Sequence, residues 1–284
     1  MIQTFAVIGG DARQRYLAEQ LMAAGFAVSC CQVPGLSDTH ASLHAALKDA
    51  RAIALPMPAL ASPTHIRTES GNLPLASVLG SVPDGTYVFG GRLSPAAQLL
   101  AQYPVRVVDY AASEPLAIAN AVPTAEGAIE LALHHTSGTI SGSRVLVVGF
   151  GRIGTLLALK LQALGAHVTA TARNAAARAR IQALGLRDDE TGRYARGLYQ
   201  YTCVCNTVPA PIFSAAQLRQ LQPGCVFIDL ASGTGALEAG TAVPGQLQYL
   251  HALALPGKCA PAAAATAIKD EILRVLHAEQ KEAP

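Results

Sequence analysis

The chain has no tryptophan and three methionines, and its aromatic residues amount to 5%. Charge is also sparse, at 14%, and the net charge of +2 is spread without a basic block or an acidic run. Nucleic acid needs a concentrated positive face, so it is not an expected partner. No uninterrupted apolar run reaches the roughly 18 residues of a membrane span. The opening Met1-Ile2-Gln3-Thr4-Phe5 has no basic segment of the signal-peptide kind. A soluble, cytoplasmic chain without a membrane partner is expected. The six cysteines (Cys30, Cys31, Cys203, Cys205, Cys225 and Cys259) form no CxxC pair at zinc spacing, so reduced thiols and no metal are expected.

Hydrophobic residues make up 51% of the 284, the opposite of a disordered composition. The length suits two cores of roughly 100–170 residues. Short apolar runs at 5–9, 26–31, 51–55, 86–89 and 105–108 read as strands, with helices near 12–24 and 94–102 between them. A stretch rich in Pro, Ser and Gly, about 59–74, reads as loop. Residues 123–135 read as a helix with Pro123 in its first position and Glu126 in its first turn, where the dipole favours a carboxylate. Strands follow at 145–148, 167–171, 202–205, 225–229 and 248–251, with a helix at 153–164. This alternation predicts an α/β fold of two Rossmann-like domains with parallel sheets. The expected domains are 1–115 for substrate and 116–284 for nucleotide. A C-terminal helix over 262–279 could pack back on the first. The Gly- and Pro-rich segments 137–143 and 255–261 are the candidate hinges.

Gly149-Phe150-Gly151-Arg152-Ile153-Gly154 follows the apolar strand 145–148 and opens a helix. A GxGxxG alone is a weak signal; this strand–turn–helix setting makes it a dinucleotide fingerprint. Gly149 permits the turn, Gly151 lets the backbone approach the pyrophosphate, and Gly154 lets the helix pack on the strand. An NAD site carries Asp or Glu at the end of the next strand. Here Ala172 stands there, followed by Arg173, whose guanidinium suits a 2′-phosphate. NADP(H) is therefore preferred over NAD(H). Asn206, Thr207 and Pro209, and Leu230, Ala231 and Ser232, follow later strands directly and should line the same crevice, although Asn, Thr and Ser at strand ends are also ordinary turn chemistry.

Six segments carry a resemblance: Gly9–Gln14, Asn120–Ile129, Val147–Gly154, Asn206–Pro209, Ile228–Ser232, and Leu255–Lys258 with Ala260-Pro261. Together they resemble the A-subunit family of dipicolinate synthase. The Asn120–Ile129 and Leu255–Pro261 stretches are far more specific than the glycine loop. The resemblance implies a pyridine-nucleotide-dependent oxidoreductase component of spore-forming bacteria. Such a component oxidises a dihydrodipicolinate-type intermediate of the lysine pathway to pyridine-2,6-dicarboxylate, beside a flavoprotein-like B-subunit. It also implies the layout of D-2-hydroxyacid dehydrogenases. A homo-oligomer is expected. The chain departs from the family at Gly233-Thr234-Gly235-Ala236-Leu237 and at Ala262-Ala263-Ala264-Ala265.

A dicarboxylate substrate calls for cations and N–H donors. Arg13, beside Asp11 at a helix start, is the first candidate, with Lys258 and Arg92 next. Glu126 is the expected base for the proton lost on aromatisation, with Lys258 as the alternative and His251 ranked lower. Asn120, Thr124 and Ser232 could hydrogen-bond the substrate; helix capping is the competing role for Asn120 and Thr124. Two other readings stay open: a D-2-hydroxyacid-type dehydrogenase, which should carry an Arg near Ala231-Ser232, and a non-catalytic NADP-binding protein that positions a flavoprotein.

Overall fold

The computed structural model describes residues 2–40, 42–69, 72–194 and 197–282. The chain forms two compact units, Met1–Asn120 with Ala260–Pro284, and Ala121–Cys259. The first boundary thus falls at 120/121 rather than 115/116, inside a continuous helix.

The first unit contains β1 (Thr4–Ile8), α1 (Ala12–Ala23), β2 (Ala27–Cys31), α2 (Leu43–Leu47), β3 (Ala52–Ala54), β4 (Leu60–Ser62), β5 (His65–Arg67), β6 (Asn72–Pro74), α3 (Leu75–Leu79), β7 (Tyr87–Gly90), α4 (Ala97–Leu100) and β8 (Arg106–Asp109). Its five-stranded sheet is parallel throughout, in the order β2-β1-β3-β7-β8. Phe5, Ala6, Val7 and Ile8 are all buried, as a strand covered on both faces requires. Asp11 caps α1, and Gly25, at φ 91°, turns the chain after it.

Segment 59–74 is not a plain loop. It folds as a small antiparallel sheet, β4-β5-β6. Ile66 and Leu73 bury against the core that contains Leu55 and Ala59. Strands this short carry too few residues for an alternating pattern to show. Ser70 and Gly71 of that segment lie outside the described residues.

The helix read from Pro123 in fact starts nine residues earlier: α5 runs Glu114–His135, with Pro123 inside it. Glu126 therefore sits mid-helix, and neither Asn120 nor Thr124 caps an end. By length and mean hydropathy (1.2 over its best window) α5 could cross a membrane, although Asn120, Glu126 and Glu130 interrupt its apolar residues. Its Ala125, Ala128 and Ala132 are buried in the core of the second unit.

The second unit continues with β9 (Arg144–Val148), α6 (Arg152–Ala163), β10 (His167–Ala172), α7 (Ala175–Ala183), β11 (Arg187–Glu190), β12 (Cys203–Asn206), α8 (Ala215–Arg219), β13 (Val226–Asp229), β14 (Gln248–His251) and α9 (Leu255–Cys259). Six parallel strands follow the order β11-β10-β9-β12-β13-β14, the doubly wound arrangement. Edge strand β11 is Arg-Asp-Asp-Glu, four charges that hide it from a hydrophobicity reading and blunt an exposed edge. Segment 255–259, read as hinge, is helical.

The last helix, α10 (Pro261–Glu282), belongs to the first unit. Ala265, Ile268, Ile272 and Leu276 share a core with Leu17, Ala18 and Leu21 of α1. The run of alanines at 262–265 suits this packing, since Ala264 and Ala265 are buried.

Candidate functional site

Each glycine of the loop between β9 and α6 has its own steric reason. Gly149 adopts φ 93°, a left-handed turn that favours glycine. A side chain on Gly154 would strike the Gly149 carbonyl oxygen. Over Gly151 the space is open: an added Cβ would meet nothing within 4 Å. Gly151 is the N-cap of α6, and no side chain caps the helix there, the end at which a helix leaves its first N–H groups without an intrahelical partner. A close-approach surface joined to a helix N-terminus fits a pyrophosphate. The loop is held from behind. The Gly149 N–H points to Thr171 Oγ1 at 3.3 Å, which in turn bonds Thr191 Oγ1 at 2.8 Å. Thr207 donates from both its N–H and its hydroxyl to the Val148 carbonyl, each at 2.9 Å. Phe150 and Ile153 pack partly buried on the core. Arg152 is exposed in the first turn of α6.

Beyond β12 and β13 the wall of the crevice is a buried polar network. Asn206 and Asp229 face each other in register and are both fully buried. Asn206 Nδ2 donates to Asp229 Oδ1 at 2.8 Å and to the Val208 carbonyl at 3.0 Å. Asp229 also accepts the Ala231 N–H at 3.1 Å, the Ala236 N–H at 2.6 Å and the Tyr249 hydroxyl at 2.6 Å. Burial first, then the bond to Asp229, pushes the Tyr249 phenol well up. Gly235 has φ 72°, and a Cβ there would strike Asp229 Oδ2. The departing turn 233–237 is thus keyed to Asp229, whose anchoring role the strand-end pattern did not single out. Leu230 and Ala231 are buried, whereas Ser232 and Pro209 are exposed. His251 is exposed, with Nε2 3.1 Å from the Ala231 carbonyl.

At the end of β10, Ala172 is buried and Arg173 exposed; among the described residues Arg173 has no ion-pair partner. An acid stands beside it on the next strand. Glu190 stands in register with Ala172 and is engaged by Arg193, Nε to Oε1 3.4 Å.

In the first unit Arg13 is buried and committed. Its Nη2 donates to Asp11 Oδ2 at 2.6 Å and to the Met57 carbonyl, and its Nε donates to Asp11 Oδ1 at 2.9 Å. Burial alone would raise the Asp11 carboxyl; the Arg13 bonds and charge outweigh it and hold it below the usual range. Asp11 thus occupies the start of α1 that an anion would need, so this pair is a closed structural clasp rather than an open cationic site.

Glu126 is not placed as a base. Its Oε1 pairs with Lys160 Nζ at 2.8 Å on the surface, near the end of α6 opposite the glycine loop. Its carboxylate is thus engaged by an ammonium on an exposed helix face. The tight contact of that motif is made by Gly127, where a Cβ would lie 2.8 Å from Cys259 Sγ and 3.2 Å from Leu255 Cβ. The two most specific motifs therefore pack on each other. Lys258, on α9, is exposed, and Asn120 and Thr124 are half-buried along α5.

Residues 4–111 match the N-terminal domain of the dipicolinate synthase A-subunit, and residues 121–239 match the NAD-binding domain of D-isomer-specific 2-hydroxyacid dehydrogenases. The dipicolinate synthase A-subunit of Bacillus subtilis is 31% identical, over 98% of this chain and 97% of its own. Its crystal structure aligns with a TM-score of 0.85 over 99% of this chain and 98% of its own, at 29% identity. That of the Bacillus halodurans A-subunit aligns with 0.85 over 96% and 97%, at 28% identity. The second unit is accordingly a nicotinamide-dinucleotide-binding domain of dehydrogenase type, and the chain as a whole belongs to the A-subunit family of dipicolinate synthase.

Proposed function

We propose that this chain is the NADP(H)-dependent component of a dipicolinate-forming oxidoreductase. Its substrate would be a dihydrodipicolinate-type dicarboxylate, its partner a flavoprotein-like B-subunit and its compartment the cytoplasm, with the chain itself a homo-oligomer. The observation that carries the reading is the glycine loop, with open space over Gly151 beside the uncapped start of α6. The start of α6 would hold the pyrophosphate of a bound dinucleotide, with Thr207 keeping the turn shaped for it, and the nicotinamide of that dinucleotide would supply a hydride acceptor. The Asn206–Asp229 network fixes the backbone at Val208 and Ala231, where the crevice of a doubly wound sheet receives its ligand.

For the 2′-phosphate the support is Arg173, exposed and without an ion-pair partner among the described residues, together with Ala172 in the place of an acid. Glu190 favours the opposite preference, and Arg193 offsets it. Calorimetric titration with NADPH and NADH tests this directly. NADPH should bind more tightly, and Arg173→Ala should remove the difference. Equal affinities, unchanged in that variant, would reject the NADP preference, and absence of binding to either nucleotide would reject the reading.

A second reading rests on the Glu126–Lys160 pair. With the expected base committed to the surface, the chain could bind nucleotide and position a catalytic partner. Turnover of the purified chain without any flavoprotein would exclude it.

A further inference from the structure

One hydrogen-bonded track crosses the C-terminal edge of the first sheet. The Gly10 N–H donates to the Arg67 carbonyl at 2.8 Å, the Arg67 N–H to the Ala59 carbonyl at 2.9 Å, and the Ala59 N–H to the Gly91 carbonyl at 2.8 Å. Ala59 thus joins the residue before Arg92 to Arg67 itself. Each step resembles the spacing of neighbouring strands, so the two arginine backbones lie on the order of 10 Å apart. Both side chains are exposed. Among the described residues neither has a salt-bridge partner or a side-chain hydrogen bond, unlike Arg13, which Asp11 consumes.

Arg92 is also held in an uncommon conformation. Its φ is 61°, left-handed, a region that penalises a bulky residue. Asp109 maintains it, with Oδ1 accepting the Arg92 N–H at 2.9 Å and Oδ2 the Leu93 N–H at 2.8 Å. Such strain persists where the surroundings over-determine it, and it concentrates at ligand-holding positions. Arg67 is fixed independently, through both of its backbone bonds. The acid whose charge couples to it is Asp11, already paired with Arg13. Two guanidinium groups carried on fixed backbone positions across a short span suit a small molecule with two carboxylates, because each planar fork takes one carboxylate.

We propose that Arg67 and Arg92 form a two-cation clamp for the two carboxylates of the substrate, an inference that rests on the dicarboxylate reading above. The test is titration of the full chain, with and without NADPH, against pyridine-2,6-dicarboxylate and pyridine-2-carboxylate. The wild-type chain should bind the diacid more tightly than the monoacid. Arg67→Gln and Arg92→Gln should each weaken diacid binding by about 10- to 100-fold, shrink the preference over the monoacid, and leave NADPH affinity unchanged. Arg67→Lys and Arg92→Lys should recover part of the loss, since charge returns without the fork. Wild-type diacid affinity in both Gln variants would overturn the clamp and spare the dicarboxylate reading. A wild-type chain that binds NADPH but neither acid would overturn the dicarboxylate reading, and the clamp with it.

Discussion

Asn206 and Asp229 end two neighbouring strands by bonding each other, Nδ2 to Oδ1 at 2.8 Å, with both side chains sealed from solvent. Removing the carboxylate would strand the Asn206 amide, the Ala231 and Ala236 N–H groups and the Tyr249 hydroxyl. Asp229→Ala should cost about 3 kcal/mol or more, read from the midpoint of urea unfolding. A loss below about 1 kcal/mol would mean that the loop does not depend on this anchor.

The second and third glycines of the nucleotide loop should separate binding from folding. Gly151→Ala places a methyl group in open space at an ordinary φ of −91°. It should keep the melting temperature while weakening NADPH binding sharply. Gly154→Ala drives a methyl group into the Gly149 carbonyl, so it should lower the melting temperature as well. Unchanged NADPH affinity in Gly151→Ala would remove the close-approach role.

Glu126→Gln breaks an ion pair whose side chains are 54% and 36% exposed. The stability change should stay within about 1 kcal/mol, and turnover with the B-subunit should be preserved. Abolished turnover with intact nucleotide binding would restore Glu126 as the base.

Acid should destabilise the first unit through Asp11 and Glu271. The Arg274 hydrogen bonds, at 2.9 and 2.6 Å, act against burial to hold Glu271 below the usual range. At Asp11 burial is the largest influence and acts upward, but the Arg13 bonds and charge together outweigh it. For a lowered carboxyl the stabilisation is present above the unfolded pKa, near 4, and is lost as pH falls through the lower folded value. Between pH 5 and 3 the wild type should therefore lose more stability than an Asp11→Asn, Glu271→Gln double variant. Parallel curves would refute the assignment.

Ile272, fully buried among α10 and α1 residues, tests the attachment of the C-terminal helix. Ile272→Ala should cost about 2–5 kcal/mol, seen as lost hydrogen-exchange protection in β1 and α1. Protection that stays unchanged would mean that α10 frays independently of that core.

The Rossmann frame was legible because its signals are local. Val145 to Val148 is an unbroken buried strand, and Gly149, Gly151 and Gly154 each answer a steric demand of one turn. The strand β10 could be located the same way, and so could the absence of an acid at Ala172. The β4-β5-β6 sheet was not legible, because Ile66 and Leu73 reveal their burial only against Leu55 and Ala59. Strand β11 escaped for a related reason: four charged residues become a strand only through pairing with β10.

Pro123 and Glu126 illustrate the limit most clearly. Sequence rules put a proline and an acid at a helix start, yet α5 begins at Glu114, where packing of its alanine face sustains the helix through the proline. By itself, then, the sequence determined the alternation of elements, the glycine loop and the family, since these reside in short contiguous patterns. Tertiary structure alone decided that Glu126 meets Lys160, that the Met57 carbonyl takes up the Arg13 guanidinium, and that Ala59 ties Arg67 to the turn of Arg92. Whether a charge is engaged or available depends on which distant segment folds against it, and no local spacing records that.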